Sequence, residues 1–248
     1  MHSFFVPRAE IGEGEFNLPN SEAHHLRQVL RGRIGEEVRL LDGEGGRYLA
    51  QVTLVTKRKA AVEVLSREQC PRLSPHIHLY QCLPKQKAMD LLIEKCTELG
   101  VGRIVPVISE NSVAVPDQDR FGVKIEKWRA AAIAALKQSG GAWLPEIDLP
   151  QPLAELAKGD RHAGLHLVAS LAAGTLPAKS ILRDQDATAE RPDEVSIWIG
   201  PEGDFSPAEL AALTGIGVQP IGLGPSVLRA ETAAICALTL LRYELAAS

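Results

Sequence analysis

The sequence predicts a two-part chain: a small β-rich domain, then an α/β domain built on a largely parallel sheet. Three observations predict it. Short β-type runs separated by turn signals fill the first 70 residues. Ser66-Arg67-Glu68-Gln69-Cys70-Pro71-Arg72-Leu73-Ser74-Pro75 has linker composition, with prolines and serines and little apolar periodicity. From residue 76 onward, short apolar runs alternate with helical patterns, the rhythm of parallel strands joined by crossover helices. The domains are therefore set at 1–70 and 76–248.

In the first part, Val38-Arg39-Leu40-Leu41-Asp42-Gly43 reads as a strand running into a turn. Residues 48–55 and 61–65 read as further strands, with the turn signals Asp42-Gly43 and Gly45-Gly46 between them. Strands this short and closely spaced suggest a small barrel. One helix, 21–30, interrupts them with Ser21 as its N-cap. Lys57-Arg58-Lys59 reads as a hairpin tip.

In the second part, strands are read at 77–83, 103–107, 166–169, 195–199 and 219–223. Such apolar runs suit a parallel sheet buried on both faces. A helix at 84–99 places Ala88, Leu92, Ile93, Cys96 and Leu99 on one face, with Gly100 at its C′ position. Glu98 lies in its last turn, where a carboxylate opposes the helix dipole, which hints at a partner. Further helices are read at 121–138, ending at Gly140-Gly141, and at 231–245. Ser206-Pro207-Ala208-Glu209 opens another as a capping box with proline at N1. The stretch 172–193, rich in Ala, Asp and Pro, reads as a long loop, and no internal repeat is present.

Composition limits the function classes. The 248 residues are 45% apolar and 23% charged, ordinary globular usage. A net charge of −4 argues against a protein that coats nucleic acid through many phosphate contacts. It leaves room for a local basic face: residues 1–72 hold 11 Lys+Arg against 10 Asp+Glu, the remainder 16 against 21. Cys70, Cys82, Cys96 and Cys236 form no C-x-x-C pair, so buried free thiols are expected and no metal site. The N-terminal apolar run, closed by Pro7 and Arg8, is too short for a signal peptide, and no segment reaches the roughly 20 apolar residues of a membrane helix. A soluble, cytoplasmic protein is expected, with no membrane partner.

Two glycine-bearing loops carry the candidate chemistry. Ile199-Gly200-Pro201-Glu202-Gly203-Asp204-Phe205-Ser206 joins a strand to the capped helix, where open α/β sheets bind ligands. Its glycines let the backbone bend and a ligand approach, although a plain strand-to-helix turn would read the same way. Leu223-Gly224-Pro225-Ser226-Val227-Leu228-Arg229-Ala230-Glu231-Thr232-Ala233 is the second such junction. Arg229 stands at a helix start, against the dipole, which suggests either a grip on an anionic group or a surface ion pair. In the first domain, Arg27 and Arg31 are four apart and would share a helix face, next to His24-His25 and Arg33. That face is either a phosphate contact or a solvated surface, as is the 57–59 tip. The histidine pair is no metal site, because adjacent residues point apart. The absence of a Walker motif argues against a nucleotide hydrolase.

Taken together, these segments resemble one family. His25-Leu26-Arg27-Gln28-Val29-Leu30-Arg31, Met89-Asp90, Glu94-Lys95-Cys96-Thr97-Glu98-Leu99-Gly100-Val101 and the two loop motifs occur in the order seen in RsmE proteins, the 16S rRNA uridine-N3 methyltransferases. The resemblance implies a PUA-like β-barrel followed by an α/β SPOUT methyltransferase domain with a C-terminal trefoil knot, an exception to unknotted topology. It implies S-adenosylmethionine as cofactor, held by stretches near 167–171, 199–203 and 221–228, with Leu167, Ala169, Ile199, Gly200, Pro201, Glu202, Gly203, Leu223, Gly224, Val227 and Leu228 as the binding residues. It implies a homodimer, and a uridine in the decoding region of 16S rRNA, within the 30S subunit, as substrate. Arg229 would stabilise the uracil anion or hold the target phosphate, and Glu231 would orient Arg229 or assist proton removal. RNA would be gripped by His25, Arg27, Arg31, Arg33, Lys57 and Lys59. No metal is implied, because the methyl donor is already activated. The chain departs from the family at Ser3 and Gly141, where arginines are usual, and at Asp204, where a second glycine is usual. Rival readings are ribose 2′-O methylation by the same fold and a non-catalytic RNA-binding or assembly protein.

Overall fold

The computed structural model describes residues 1–112, 118–159, 164–172, 175–187 and 191–246. The chain divides into two compact units, Met1–Arg72 with Ile133–Leu144, and Leu73–Ala132 with Pro145–Ser248.

The first unit contains β1 (Ser3–Phe5), β2 (Glu15–Asn17), α1 (Asn20–His24), β3 (Glu37–Leu41), β4 (Gly46–Val55) and β5 (Ala60–Gln69). The sheet order is β1-β3-β4-β5-β2, with β1 parallel to β3 and the other pairs antiparallel. Alternation sets the inner face: along β4, Gly46, Tyr48, Ala50 and Val52 are buried while the residues between them stay half-exposed. Phe4, Leu26, Val38, Leu40 and Val62 complete this core. The Asp42-Gly43 signal has a clear cause. The buried Asp42 carboxylate accepts the backbone N–H of Glu44 (2.7 Å) and Gly46 (2.8 Å) and the Tyr48 hydroxyl (3.1 Å). Burial, then the Asp42 charge, pushes the Tyr48 phenol up.

Three expectations fail here. Ser21 is not the N-cap, because the helix opens one residue earlier behind Pro19. The helix is not regular to residue 30: α1 passes into a π-helical turn, His25–Val29, and Arg31 takes a left-handed backbone (φ 54°). Arg27 and Arg31 therefore share no helix face. The linker composition of 66–69 is misleading as well, because β5 runs through Gln69 in register with β4.

The second unit contains β6 (His76–Cys82), α2 (Gln86–Glu98), β7 (Arg103–Ile108), α3 (Phe121–Ser139), β8 (Glu146–Ile147), β9 (Gln151–Pro152), α4 (Leu153–Leu156), β10 (Leu165–Ala169), β11 (Leu176–Pro177), α5 (Ala178–Ala187), β12 (Glu194–Ile199), α6 (Pro207–Gly215), β13 (Gln219–Gly222) and α7 (Ala230–Leu245). From Ile133 onward, α3 belongs to the first unit. The sheet order is β11-β13-β10-β12-β6-β7-β8, with β9 also on β7, and every pair is parallel. The central strands are buried on both faces, as their unbroken apolar runs require. On α2, Met89, Leu92, Ile93 and Cys96 are fully buried, and Gly100 ends the helix at φ 74°. Glu98 finds its partner one turn back, in Lys95 at 2.9 Å. The long loop expected at 172–193 is overturned in its described part, which holds β11, paired with β13, and the helix α5. The four cysteines are free. Cys82 and Cys96 are buried, and burial pushes both thiols up, that of Cys82 to about 12, while Cys70 and Cys236 are half-buried. No described helix is long and apolar enough to cross a membrane.

Candidate active site

A cavity of about 420 Å³ opens beyond the carboxyl ends of β10, β12 and β13, three neighbouring strands. That is where open parallel sheets receive ligands, and the volume suits a small molecule. Three stretches of chain wall it: 169–172 with Thr175 after β10, 199–202 with Asp204 after β12, and 222–228 after β13, closed by Ala230 and Ala233 of α7.

The second wall is the most tightly built. Gly200 is tightly packed, since a Cβ there would lie 3.1 Å from Asp204 Oδ1 and 3.3 Å from the Phe205 ring, so those neighbours would have to shift. The Asp204 N–H donates to Pro201 O at 3.0 Å, closing a turn. Asp204 itself sits at φ 61°, and its carboxylate accepts the Phe205 N–H at 2.8 Å. The capping box read from the sequence then starts α6: Ser206 Oγ accepts the Glu209 N–H (3.2 Å) and Glu209 Oε2 accepts the Ser206 N–H (2.9 Å). In the third wall, Gly224 takes φ 132°, where a side chain would be strained.

The walls are mainly backbone, proline and aliphatic surface. Glu202 and Asp204 are their charged groups, and no Lys or Arg lies among the described lining residues. The site is therefore electrostatically suited to a ligand with net positive charge. No group of three or more metal-ligating side chains occurs among the described residues.

Ala169, Ile199, Gly200, Pro201, Glu202, Leu223, Gly224, Val227 and Leu228, singled out from the sequence, are brought together in this lining. Leu167 is not among them; it is fully buried within β10. Gly203 also stays outside the lining, and a Cβ on it would lie 3.3 Å from that of Asn111. Ser170 and Leu171 fall within the 167–171 stretch read from the sequence, whereas Ala172 and Thr175, which follow it without a recognisable motif, were missed. Pro225 and Ser226, within the 221–228 stretch of the second motif, also line the cavity.

Arg229 is the N-cap residue of α7, exposed, between the lining residues Leu228 and Ala230. Neither Arg229 nor the half-buried Glu231 makes an ion pair among the described residues. The surface ion pair left open by the sequence is therefore not seen among the described residues, nor does Glu231 pair with Arg229.

In the first unit, the Arg27 guanidinium donates to Ala23 O (3.0 Å), Thr56 O (3.4 Å) and Lys57 O, fastening the helix end to the hairpin tip. Arg31, Arg33, Lys57 and Lys59 are exposed, and His25 meets Phe4 edge-on at 6.2 Å.

Comparison with known proteins joins these features to a family. A family model described as an RNA methyltransferase domain matches residues 71–242, and one described as an RNA methyltransferase PUA domain matches 18–65. Ribosomal RNA small subunit methyltransferase E of Mycobacterium bovis is 33% identical over 221 residues, 89% of this chain and 83% of that protein. Its counterpart from Synechocystis sp. is 30% identical over 233 residues, 94% and 74% of the two chains. The crystal structure of ribosomal RNA small subunit methyltransferase E from Neisseria gonorrhoeae bound to S-adenosyl methionine superposes with a TM-score of 0.87 at 27% identity, covering 99% of this chain and 98% of that one. A PUA-type front unit, an α/β methyltransferase unit and this span of similarity lead to one conclusion: the chain belongs to the ribosomal RNA small subunit methyltransferase E family.

Proposed function

We propose that this chain transfers a methyl group from S-adenosylmethionine to N3 of a uridine in the decoding region of 16S rRNA, within the assembled 30S subunit. Residues 1–70 serve as the RNA-binding domain and 76–248 as the methyltransferase domain, whose C-terminal strands and loops form the trefoil knot. The enzyme is cytoplasmic and works as a homodimer; Tyr243, 83% exposed on α7, offers surface to a second copy.

One observation carries the reading: the cavity at the ends of β10, β12 and β13, whose only charged wall groups among the described residues are carboxylates. S-adenosylmethionine carries a sulfonium and an ammonium against one carboxylate, so its net charge is complementary. When bound, it supplies a methyl group already activated on the sulfonium. Leu223, Val227 and Leu228 supply apolar surface for the adenine, and the backbone of 199–203 and 223–224 supplies polar groups. Arg229, without an ion-pair partner beside the cavity, stabilises negative charge that develops on the uracil carbonyls as the N3 proton leaves. Glu231, two residues on, takes up that proton or orients Arg229 once RNA is bound. Positioning of the two reactants supplies much of the rate.

The test is tritium transfer from labelled S-adenosylmethionine to 30S subunits lacking base methylation, beside naked 16S rRNA, followed by nucleoside digestion. Label in N3-methyluridine, preferentially from subunits, is the expected result. Label on a ribose would replace the reading with 2′-O transfer, and cofactor binding without transfer to either substrate would replace it with an RNA-binding role. Arg229→Ala should lower the transfer rate by about 10²–10³ with cofactor affinity intact; full transfer by that variant would remove Arg229 from the chemistry.

A further inference from the structure

The turn that follows Ile108 reaches the second wall of the cavity. Ser109 and Ser112 close it: the Ser109 N–H donates to Ser112 Oγ at 3.0 Å and the Ser112 N–H to Ser109 O at 3.1 Å. Glu209 anchors it, because Oε1, the oxygen not used in the capping box, accepts the Glu110 N–H at 2.9 Å. The turn then presents Asn111, whose Nδ2 donates to Asp204 O at 3.0 Å and lies 3.4 Å from Gly203 O. The glycine at 203 is explained by the same contact, since a Cβ would crowd that of Asn111.

Asp204 is the unusual element of this wall. A left-handed backbone is strained for a residue with a Cβ and relaxed for glycine. Three bonds hold it there: its N–H on Pro201 O, its own carboxylate on the Phe205 N–H, and the Asn111 amide on its carbonyl. The first two are internal to the loop. The third ties the loop to another part of the sheet, and so fixes where Gly200, Pro201 and Glu202 stand in the cavity wall.

We propose that Asn111 is a positioning residue for the cofactor loop, and that its amide is what allows an aspartate at 204 to keep the geometry a glycine would adopt unaided. The inference rests on the cofactor reading above. It assigns Asn111 no contact with cofactor or RNA; the residue acts by preorganising the loop, which lowers the ordering cost of binding.

A double-mutant cycle tests it, with S-adenosylmethionine affinity measured by calorimetry on the full chain, and KM and kcat measured in the transfer assay. Asn111→Ala should weaken cofactor binding by roughly three- to tenfold, the range for one hydrogen bond. KM for the cofactor should carry most of the change, with the thermal midpoint little altered. In the D204G chain, the same Asn111→Ala change should cost little, because glycine holds the left-handed turn without the tether. A purely structural role for Asn111 would give the same loss in both backgrounds and would overturn the proposal, as would unaltered affinity in N111A alone. Failure of the unsubstituted chain to bind S-adenosylmethionine would overturn the cofactor reading itself, and this inference with it.

Discussion

Arg242 projects from α7 onto the end of α2, and its guanidinium donates to Pro75 O (2.6 Å), Leu99 O (3.3 Å) and Gly100 O. It thus supplies donors to the carbonyls of the cap that closes α2 and to that of Pro75, before β6, and sets a cation at the negative end of that helix. Burial lowers its pKa to about 10, so it remains protonated near neutrality. Arg242→Met keeps much of the stem volume but orphans these acceptors. The cost should be about 1.5–3 kcal/mol, read as a fall of several degrees in the thermal midpoint. Arg242→Lys should recover only part of it, because one ammonium cannot span three carbonyls as a planar fork does. A midpoint unchanged in the methionine variant would show that water satisfies these carbonyls. The sequence carries no trace of this role, since an arginine in a helix reads as solvent-facing. Arg229 was legible because it stands where the dipole disfavours it. Asp204 was legible as a departure from a glycine pattern, but its tether to Asn111 was not, because the partners are far apart in sequence and meet only across the sheet.

The capped helix and the main strands of both sheets were legible in the sequence, whereas the shortest strand, a helix of loop-like composition and an irregular turn were not. The capping box at Ser206 forms as expected because both partners lie within four residues. The α5 helix was hidden by a composition that suggested a loop, and β11 by its length of two residues. The π turn at His25–Val29 had no sequence signature either. The Gly32 N–H reaches back to Leu26 O at 2.9 Å, and a Cβ at Gly32 would lie 2.3 Å from the Leu26 side chain. The helix therefore closes in a Schellman-like bond with Arg31 in the left-handed position that glycine usually fills. π turns and strained residues gather at functional sites, which fits Arg31 as an RNA contact rather than a structural necessity. Arg31→Gly should then leave the chain as stable or up to about 1 kcal/mol more stable in thermal unfolding, while weakening its binding to 30S subunits. A destabilised variant would mean that the side chain supports the turn, and unaltered binding would take Arg31 off the RNA.

For the molecule as a whole, charge decides how RNA can be held. A chain of net charge −4 cannot rely on its overall field, so the grip must come from a local set of cations. On the proposed reading, the hairpin tip and the helix end supply one within the first unit. Arg27 fastens the two together, the Gly35 N–H donates to Val52 O at 2.8 Å, and Gln51 Nε2 donates to Gly35 O at 3.2 Å. Around that junction Arg31, Arg33, Lys57, Arg58 and Lys59 are exposed, and none forms an ion pair among the described residues. If each of these five cations meets one phosphate, the logarithm of the binding constant should fall against the logarithm of salt with a slope between about −3.5 and −4.5. A much steeper slope would require cations elsewhere on the chain. Replacing Lys57, Arg58 and Lys59 together with alanine should make the slope shallower by about 2 to 3 and weaken binding to subunits of any sequence alike, because phosphate contacts carry no base information. The catalytic rate at saturating substrate should stay unaltered, since the cavity belongs to the second unit. An unchanged slope in that variant would mark the tip as a solvated surface and move the RNA grip to the remaining arginines.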